Sequence, residues 1–242
     1  MEVKEMKDLL IITPVKDSID LTEQTIRSVV HSIAGKGQWT YVVYDDFSKV
    51  ETSVRLDELA KELKFDVIHL ADVIDSPSPN YRYILLQSQK RAIIENKHLV
   101  IVESDVVVNQ NTFISLVNHV SSKVGMVASV TKDLNGEINF PYLFARKWKD
   151  EDKSTKKRIS FCCTLLSNEF LKSYDFNNLN PEKNWYDVFI SHKSIELGFQ
   201  NILLMTDKVL HRPHSSRPWK LLKYTNPLKY YWIKYTKGFD KI

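Results

Sequence analysis

The sequence predicts an α/β fold in which a mostly parallel central sheet is flanked by helices. Two observations lead to this prediction. Runs of consecutive apolar residues at 9–12, 41–44 and 99–102 are typical of strands that are buried on both faces, as in a parallel sheet. Segments with helical periodicity separate these runs, so strands and helices alternate over the first 108 residues.

The first strand is expected at residues 9–13, and Pro14 is expected to end it. Asp20 and Glu23 have the spacing of a capping box, and the apolar residues that follow lie on one helical face as far as Ile33. Residues 41–44 form the second predicted strand. The segment should therefore be a right-handed βαβ unit.

The remaining predicted elements are less regular. Up to residue 102 they are a helix at 54–63, a strand at 65–70, a helix at 82–96 and a strand at 99–102. Beyond residue 108 they are helices at 112–120 and 185–197 and strands at 125–130, 159–166, 202–205 and 208–210. Residues 147–157 carry a run of charges without an apolar pattern, which predicts a solvated loop.

Acidic residues follow three of the predicted strands. Asp17 comes after the first strand, Asp45 after the second, and Glu103 and Asp105 after the strand at 99–102. Because ligands of open α/β sheets bind at the carboxyl ends of strands, these acids should converge. Glu103 and Asp105 would suit a divalent ion that binds a diphosphate. The alternative is that both acids merely start a solvated loop or cap the next helix.

Composition excludes several other classes of protein. The chain has 242 residues, 43% of them hydrophobic, which indicates a globular protein. It holds six glycines and neither GxGxxG nor GKS/GKT, which argues against a dinucleotide fold and a P-loop. Without a membrane-length apolar run or a signal-peptide core, we expect a cytoplasmic protein. The adjacent Cys162 and Cys163 should face opposite ways in a strand, forming neither a disulfide framework nor a zinc site.

Residues 11–17, 41–48 and 103–105 resemble the opening motifs of the family 2 glycosyltransferases, and the likeness extends through 184–198 to 209–211. That family has the GT-A fold, in which a nucleotide-binding α/β half is fused to an acceptor-binding half, and it transfers sugars with inversion.

The resemblance implies a division of the chain. The GT-A domain would cover residues 1–216, with a nucleotide-sugar half at 1–108 and an acceptor half at 109–216. A basic, aromatic tail at 217–242 would follow.

The resemblance also implies a role for each matching residue. The nucleotide-sugar contacts would be Pro14, Val15, Asp17, Asp45, Arg82 and Ser104. The metal ligands would be Asp105, Glu103 and His211, and the catalytic base would be Asp187. The sequence departs from the family pattern twice: Glu103 occupies the first acidic position of the DxD element, and Tyr186-Asp187 replaces a Glu-Asp pair, which leaves only the expected base.

These residues suit sugar transfer. A divalent metal, Mn²⁺ or Mg²⁺, stabilises the charge that develops on a departing nucleoside diphosphate. One carboxylate suffices to activate an acceptor hydroxyl. We therefore expect inverting transfer from a nucleotide diphosphate sugar to a glycan or lipid-linked acceptor, in bacterial cell-surface polysaccharide or lipid-linked glycan synthesis. The residue spacing does not decide between transfer and hydrolysis.

Each assignment has a structural alternative: Asp45 as a helix N-cap, Asp187 as a solvated acid, Arg82 as a surface arginine and His211 as a core hydrogen-bonding residue. For the whole chain, the alternatives are a nucleotidyltransferase on a related fold and a non-enzymatic basic binder of membranes or nucleic acid. Residues 13–18 contain no glycine, which argues against the first. The second leaves the acids at the strand ends unexplained, and we expect no nucleic-acid partner.

Positive charge is concentrated in the tail. Residues 217–242 carry a net charge of +6, whereas residues 1–216 carry −2. The apolar residues Leu228, Tyr231, Trp232, Tyr235 and Phe239 recur at helical spacing among lysines, a pattern typical of interfacial helices. We therefore expect the tail to bind an anionic surface at the inner face of a membrane. The alternative is a helix that packs against the domain.

Overall fold

The computed structural model of the protein describes residues 8–33, 35, 38–182, 185–213, 222 and 226–236. The chain divides into two compact units, Met1–Arg212 and Pro213–Ile242. The boundary lies a few residues before the start of the basic tail expected at residue 217.

The first unit contains a nine-stranded sheet within the described residues. Its strands are β1 (Leu9–Val15), β2 (Trp39–Asp45), β3 (Asp66–His69), β4 (His98–Val102), β5 (Val106–Val107), β6 (Val124–Lys132), β7 (Lys153–Thr155), β8 (Cys163–Leu166) and β9 (Gln200–His211). Its α-helices are α1 (Ile19–Ile33), α2 (Val50–Leu63), α3 (Tyr81–Ile94), α4 (Thr112–Asn118), α5 (Asn168–Ser173) and α6 (Tyr186–Glu196). Short 3₁₀ helices cover Leu70–Asp72, Leu143–Ala145 and Phe176–Asn178.

The strands follow the order β3-β2-β1-β4-β8-β6-β9-β5, and β7 pairs with β9. The first four strands in this order are mutually parallel, and β6 and β9 run in the same direction as they do. Strands β5, β7 and β8 are antiparallel to their neighbours. The predicted α/β architecture with a mostly parallel sheet is therefore confirmed.

Alternating side chains of the central strands fill two hydrophobic cores, one on each face of the sheet. Leu10 and Ile12 of β1 belong to the core that includes residues of α3, α5 and α6. Leu9 and Ile11 belong to the core that includes residues of α1, α2 and α4. This alternation explains why the strands read as continuous apolar runs, since both of their faces are covered. The acidic residues Asp17, Asp45 and Glu103 lie at or just after the carboxyl ends of β1, β2 and β4.

The prediction that Pro14 ends the first strand is wrong. Strand β1 continues to Val15, and Pro14 lies opposite Tyr44 of β2. The pairing of β1 with β4 ends at Ile12, so Pro14 lies where β1 has a strand on one side only. At such a position the missing N–H of proline need not interrupt a ladder.

Two predicted strands near the end of the unit are in fact one strand. The stretches expected at 202–205 and 208–210 both belong to β9, whose pairing with β6 is irregular between Ser129 and Thr131. The polar residues between the two stretches lie at this irregularity, and Asp152 accepts hydrogen bonds there from the main-chain nitrogens of Met205 and Thr206, at 2.7 and 2.9 Å. Asp152 comes from the charged run expected to be a loop, which also contributes the short edge strand β7.

The second unit contains α7 (Pro227–Thr236). Along this helix Leu228, Tyr231, Trp232 and Tyr235 are exposed by 86, 47, 63 and 75%. Phe239, Lys237 and Lys241 of the predicted interfacial helix lie outside the described residues. No helix in the described part of the chain combines the length and apolar character that crossing a bilayer requires.

Candidate functional site

The pairing of β4 with β8 brings Glu103 beside Cys162. The two strands are antiparallel, with Val102 opposite Cys163. One residue further on, the main-chain nitrogen of Glu103 donates a hydrogen bond of 3.0 Å to the carbonyl of Cys162. The side chains also meet, because the Cys162 thiol donates to Oε2 of Glu103 at 3.3 Å.

The pairing of β5 with β9 brings Asp105 beside His211. Val106 lies opposite His211 in this antiparallel ladder, and the main-chain nitrogen of Arg212 donates to the carbonyl of Asp105 at 2.9 Å. Nε2 of His211 lies 3.5 Å from Oδ2 of Asp105. Strand β5 has two residues, too few for its pattern to be recognised in the sequence.

The ring of His211 is held from its other side. Nδ1 lies 2.7 Å from the main-chain oxygen of Phe140, which can only accept, so Nδ1 carries the proton. The side-chain amide of Asn139 donates to the main-chain oxygen of His211 at 2.9 Å. Nε2 is therefore directed towards Asp105, an arrangement typical of histidines that bind metals through Nε2.

The site concentrates negative charge in a buried position. Burial and the charge of Asp105 raise the pKa of Glu103 to about 7, and Asp187 adds to this shift. Burial opposes protonation of His211, but its hydrogen bond to Asp105 and the charges of both acids raise the pKa of its ring. Since the charge of Asp105 disfavours a second negative charge on Glu103, a bound cation would stabilise the two acids together.

Three side chains of the site could hold a divalent cation, and a fourth, Asp105, offers an oxygen beside them. Glu103, Cys162 and His211 each offer one ligand atom, and these atoms all lie within 4.8 Å of one another. Oδ1 of Asp105 is buried and has no hydrogen-bond partner among the described residues. Burying a polar atom without a partner is costly, and a bound cation would satisfy it.

Asp187 lies in the first turn of α6 and is half-buried. The charge of Asp187 raises the pKa of Glu103. Burial is the main cause of the raised pKa of Tyr81, and the charges of Glu103 and Asp187 add to it. All three residues therefore lie in one electrostatic neighbourhood. The Tyr81 ring stacks on Phe161 and Tyr186, both at 6.4 Å. Its hydroxyl is buried without a hydrogen-bond partner in the described structure. Tyr81 was not predicted, because a tyrosine at a helix start carries no sequence signal for a site.

Asp17 joins the loop after β1 to the loop after β2, and Asp45 holds the loop after β2. Oδ1 of Asp17 accepts the main-chain N–H of Lys49 at 2.8 Å, and the Asp17 N–H donates to Oγ of Ser48 at 2.9 Å. Asp45 accepts from the main-chain N–H of Ser48 at 3.0 Å and from Oγ of Ser53 at 2.6 Å. Its Oδ2 also lies 2.8 Å from Nδ1 of His69. The cap residue of α2 is Lys49, so Asp45 is not the helix N-cap of the alternative interpretation.

The backbone of these two loops is strained. Asp17, Ser18 and Phe47 have φ angles of 57, 54 and 59°. Residues other than glycine seldom adopt this left-handed conformation, and such residues cluster at ligand-binding sites. Both loops follow parallel strands, β1 and β2, at the same end of the sheet where Glu103 and Asp105 follow β4.

The other predicted contact residues have different surroundings. Val15 is buried in the core and Pro14 is half-buried. Ser104 is buried within a turn in which the Val106 N–H donates to the carbonyl of Glu103 at 3.1 Å. The guanidinium of Arg82 donates to the carbonyls of Leu179 and Asn177, at 3.0 and 2.9 Å, and so holds the segment around the last 3₁₀ helix.

No protein-family model and no curated protein matches the chain. Solved structures do share its fold. Residues 1–349 of TarS from S. aureus match with a TM-score of 0.64 and 16% identity over 89% of this chain and 62% of that fragment. The mannosyltransferase PcManGT from Pyrobaculum calidifontis, solved with GDP-Man and Mn²⁺, matches with a TM-score of 0.65 and 14% identity over 94% and 64%. GalNAc-T7, solved with UDP, GalNAc and Mn²⁺, matches with a TM-score of 0.60 and 15% identity over 86% and 44%.

The chain therefore has the GT-A glycosyltransferase fold, as the resemblance of its motifs implied. At identities of 14 to 16%, the likeness concerns the fold alone. The chain spans less than two thirds of the TarS fragment 1–349 and of PcManGT, 62% and 64% respectively.

Proposed function

We propose that the protein is a glycosyltransferase of the inverting family 2 type, which moves a sugar from a nucleoside diphosphate to an acceptor hydroxyl. The observation that carries the proposal is the cluster of Glu103, Asp105 and His211 at the strand ends of a GT-A fold, with Asp187 in the same electrostatic neighbourhood. Two proteins of similar fold, PcManGT and GalNAc-T7, were solved with Mn²⁺ and a nucleotide or nucleotide sugar.

In this proposal Asp105, Glu103 and His211 hold a divalent metal ion. When bound, Mn²⁺ or Mg²⁺ neutralises the diphosphate and stabilises it as a leaving group. The hydrogen bond from Nδ1 of His211 to the Phe140 carbonyl keeps Nε2 directed towards the site. The buried Oδ1 of Asp105 supplies a second oxygen that no described residue satisfies.

Asp187 is the proposed general base. A carboxylate in this position can take the proton of an acceptor hydroxyl as the hydroxyl oxygen attacks the anomeric carbon. Attack on the face opposite to the leaving group inverts the configuration at that carbon. The buried hydroxyl of Tyr81, close to Asp187 and Glu103, is suited to donate a hydrogen bond to the substrate.

The nucleotide is proposed to bind at the loops after β1 and β2, against Pro14, Val15, Asp17 and Asp45, with Ser104 alongside. The strained and interlocked backbone of these loops at adjacent strand ends supports this position. Arg82 is proposed to contact the diphosphate through its remaining N–H donors, because its bonds to the Leu179 and Asn177 carbonyls use only Nε and Nη2.

A donor screen tests the proposed function. The full chain is melted with UDP, GDP, UDP-GlcNAc and GDP-Man, each with and without Mn²⁺. A ligand at a hundred times its dissociation constant adds about 2.7 kcal/mol of stability, so Tm should rise by roughly 5–10 °C with the matching nucleotide. Mn²⁺ alone is the control. If no nucleotide raises Tm in the presence of Mn²⁺, the protein does not bind donors of this class.

The acceptor is proposed to be a glycan or lipid-linked glycan, reached at the inner face of a membrane. The exposed side chains of α7, namely Leu228, Tyr231, Trp232 and Tyr235, are spaced as one helical face. Basic residues surround this face in the sequence, and each contributes about 1 kcal/mol near an anionic surface. The combination supports peripheral binding to anionic lipid.

Co-sedimentation with anionic liposomes tests this membrane proposal. The full chain should sediment at low salt and much less at high salt, because the attraction is screened. The double substitution Trp232→Ser with Tyr235→Ser should leave the chain in the supernatant. Val54→Ser, at a position 52% exposed on α2, is the matched control and should sediment like the unmodified chain. Equal sedimentation of the double variant would show that α7 is not the membrane contact.

A further inference from the structure

The thiol of Cys162 lies among the candidate ligand atoms of the proposed metal site. Residue 162 immediately precedes β8, and its Sγ contacts Oε2 of Glu103 at 3.3 Å and Oγ of Ser160 at 3.4 Å. Sγ also lies within 4.8 Å of the ligand nitrogen of His211. The sequence predicted no zinc site at the two cysteines, whereas Cys162 lies in a group of three side chains that could hold a metal ion.

The neighbouring cysteine has a different environment. Burial and the charge of Asp207 raise the pKa of Cys163. For Cys162, burial and the charges of Glu103 and Asp105 raise the pKa of the thiol. Both cysteines are buried and free of disulfides, so they form a matched pair that differs in position relative to the site.

The distances between ligand atoms suit direct binding by the thiol. Zinc binds sulfur at about 2.3 Å, imidazole nitrogen at about 2.1 Å and carboxylate oxygen at about 2.1 Å. Two atoms bound to one ion are therefore at most about 4.4 Å apart. Because the three candidate atoms already lie within 4.8 Å of one another, side-chain adjustments alone can bring them to bonding distance.

We propose that Cys162 is a direct metal ligand, which makes this a mixed site of oxygen, nitrogen and sulfur donors that prefers a thiophilic divalent cation. The thiol gives up its proton to solvent as the sulfur–metal bond forms. Thiolates favour zinc and related ions, whereas Mg²⁺ prefers a shell made only of oxygens. The site should therefore bind Zn²⁺ and Co²⁺ more tightly than Mn²⁺, and Mg²⁺ least.

This inference rests on the metal site of the proposed function and specifies its chemistry. It also assigns Cys162 a role that hydrogen bonding to Glu103 would not explain. If the thiol served only to position Glu103, the metal would be held by oxygen and nitrogen atoms. The bound ion would then show no thiolate-to-metal absorption band.

Cobalt absorption distinguishes these two arrangements without measuring activity. The full chain is reduced, freed of metal and titrated with Co²⁺. Direct sulfur ligation gives a thiolate-to-cobalt charge-transfer band in the near ultraviolet, together with weaker visible bands. Zn²⁺ should abolish the band by displacement, and a large excess of Mg²⁺ should leave it unchanged.

Two variants assign the band. Cys163→Ser should keep it, and since the chain holds two cysteines, this result alone attributes the band to Cys162. Cys162→Ser should lose it and bind Zn²⁺ at least about tenfold more weakly, the lower bound for losing even an indirect partner of a metal. Circular dichroism confirms that this variant is folded.

Three results would overturn the inference. Visible cobalt bands without a thiolate band would leave the metal site of the proposed function intact but exclude Cys162 from it. A band that persists in Cys162→Ser would also exclude Cys162. Absence of cobalt binding would remove the metal site altogether, and with it the proposed function in its metal-dependent form.

Discussion

Replacing Asp105 with asparagine should remove the metal-dependent part of nucleoside diphosphate binding. The amide keeps the size of the side chain but loses its negative charge, and Oδ2 of Asp105 lies 3.5 Å from Nε2 of His211. Mutating a residue that only hydrogen-bonds to a metal ligand already weakens metal affinity by about 10- to 100-fold. In calorimetry with Mn²⁺, the affinity of the variant for UDP or GDP should therefore fall to the level measured without metal.

A matched control is Asp66→Asn, which makes the same chemical change at the start of β3, at a side chain 64% exposed. This variant should keep both its affinity and its dependence on Mn²⁺. The proposal of a metal site at the end of β4 would be rejected if Asp105→Asn bound nucleotide with unchanged affinity and unchanged metal dependence. A thermal melt of each variant separates loss of binding from loss of folding.

The second large effect is expected at Asp187. Asp187→Asn keeps the shape of the side chain but removes its ability to take a proton. Turnover should therefore fall by roughly 10²- to 10⁴-fold, whereas donor affinity should change little. The measurement is the rate of sugar transfer with the donor identified by the nucleotide screen, combined with the dissociation constant of that donor.

Glu196→Gln is the control for this variant, because it changes an acid to an amide at the other end of α6, where Glu196 is 68% exposed and paired with Lys193. Its turnover should match that of the unmodified chain. Near-normal turnover in Asp187→Asn would assign proton removal to another group. A parallel loss of donor affinity would place Asp187 in donor binding instead.

The first half of the fold could be predicted because its strands are buried on both faces. Residues 9–12 and 99–102 lie in adjacent parallel strands of the sheet, and their continuous apolar runs are hard to mistake. Among the later strands of the described sheet, β5 and β7 each pair with β9 alone and the pairing of β9 with β6 is irregular, so their sequence patterns are weaker. Strand β7, for example, consists of Lys153, Ser154 and Thr155, which no hydrophobic period would identify.

The residues of the candidate site were partly visible in the sequence, but their grouping was not. Glu103 and Asp105 follow a clear apolar strand, so their position at a strand end could be predicted. The approach of His211 to Asp105 depends on a ladder with the two-residue strand β5. The approach of Cys162 to Glu103 depends on the antiparallel register of β8 with β4. Pairing over such separations leaves no periodic signal in a single sequence.

The place of β9 in the sheet has a consequence for biosynthesis. Strand β9 lies between β6 and β5, and in the described sheet β5 pairs with β9 alone. Val106 and Val107 leave the ribosome about a hundred residues before His211 does, and closing so long a segment is slow compared with forming local contacts. A nascent chain thus carries Glu103 and Asp105 without the histidine beside them. If the cluster binds metal and nucleotide as proposed, the complete site forms only after the last strand of the first unit has been translated.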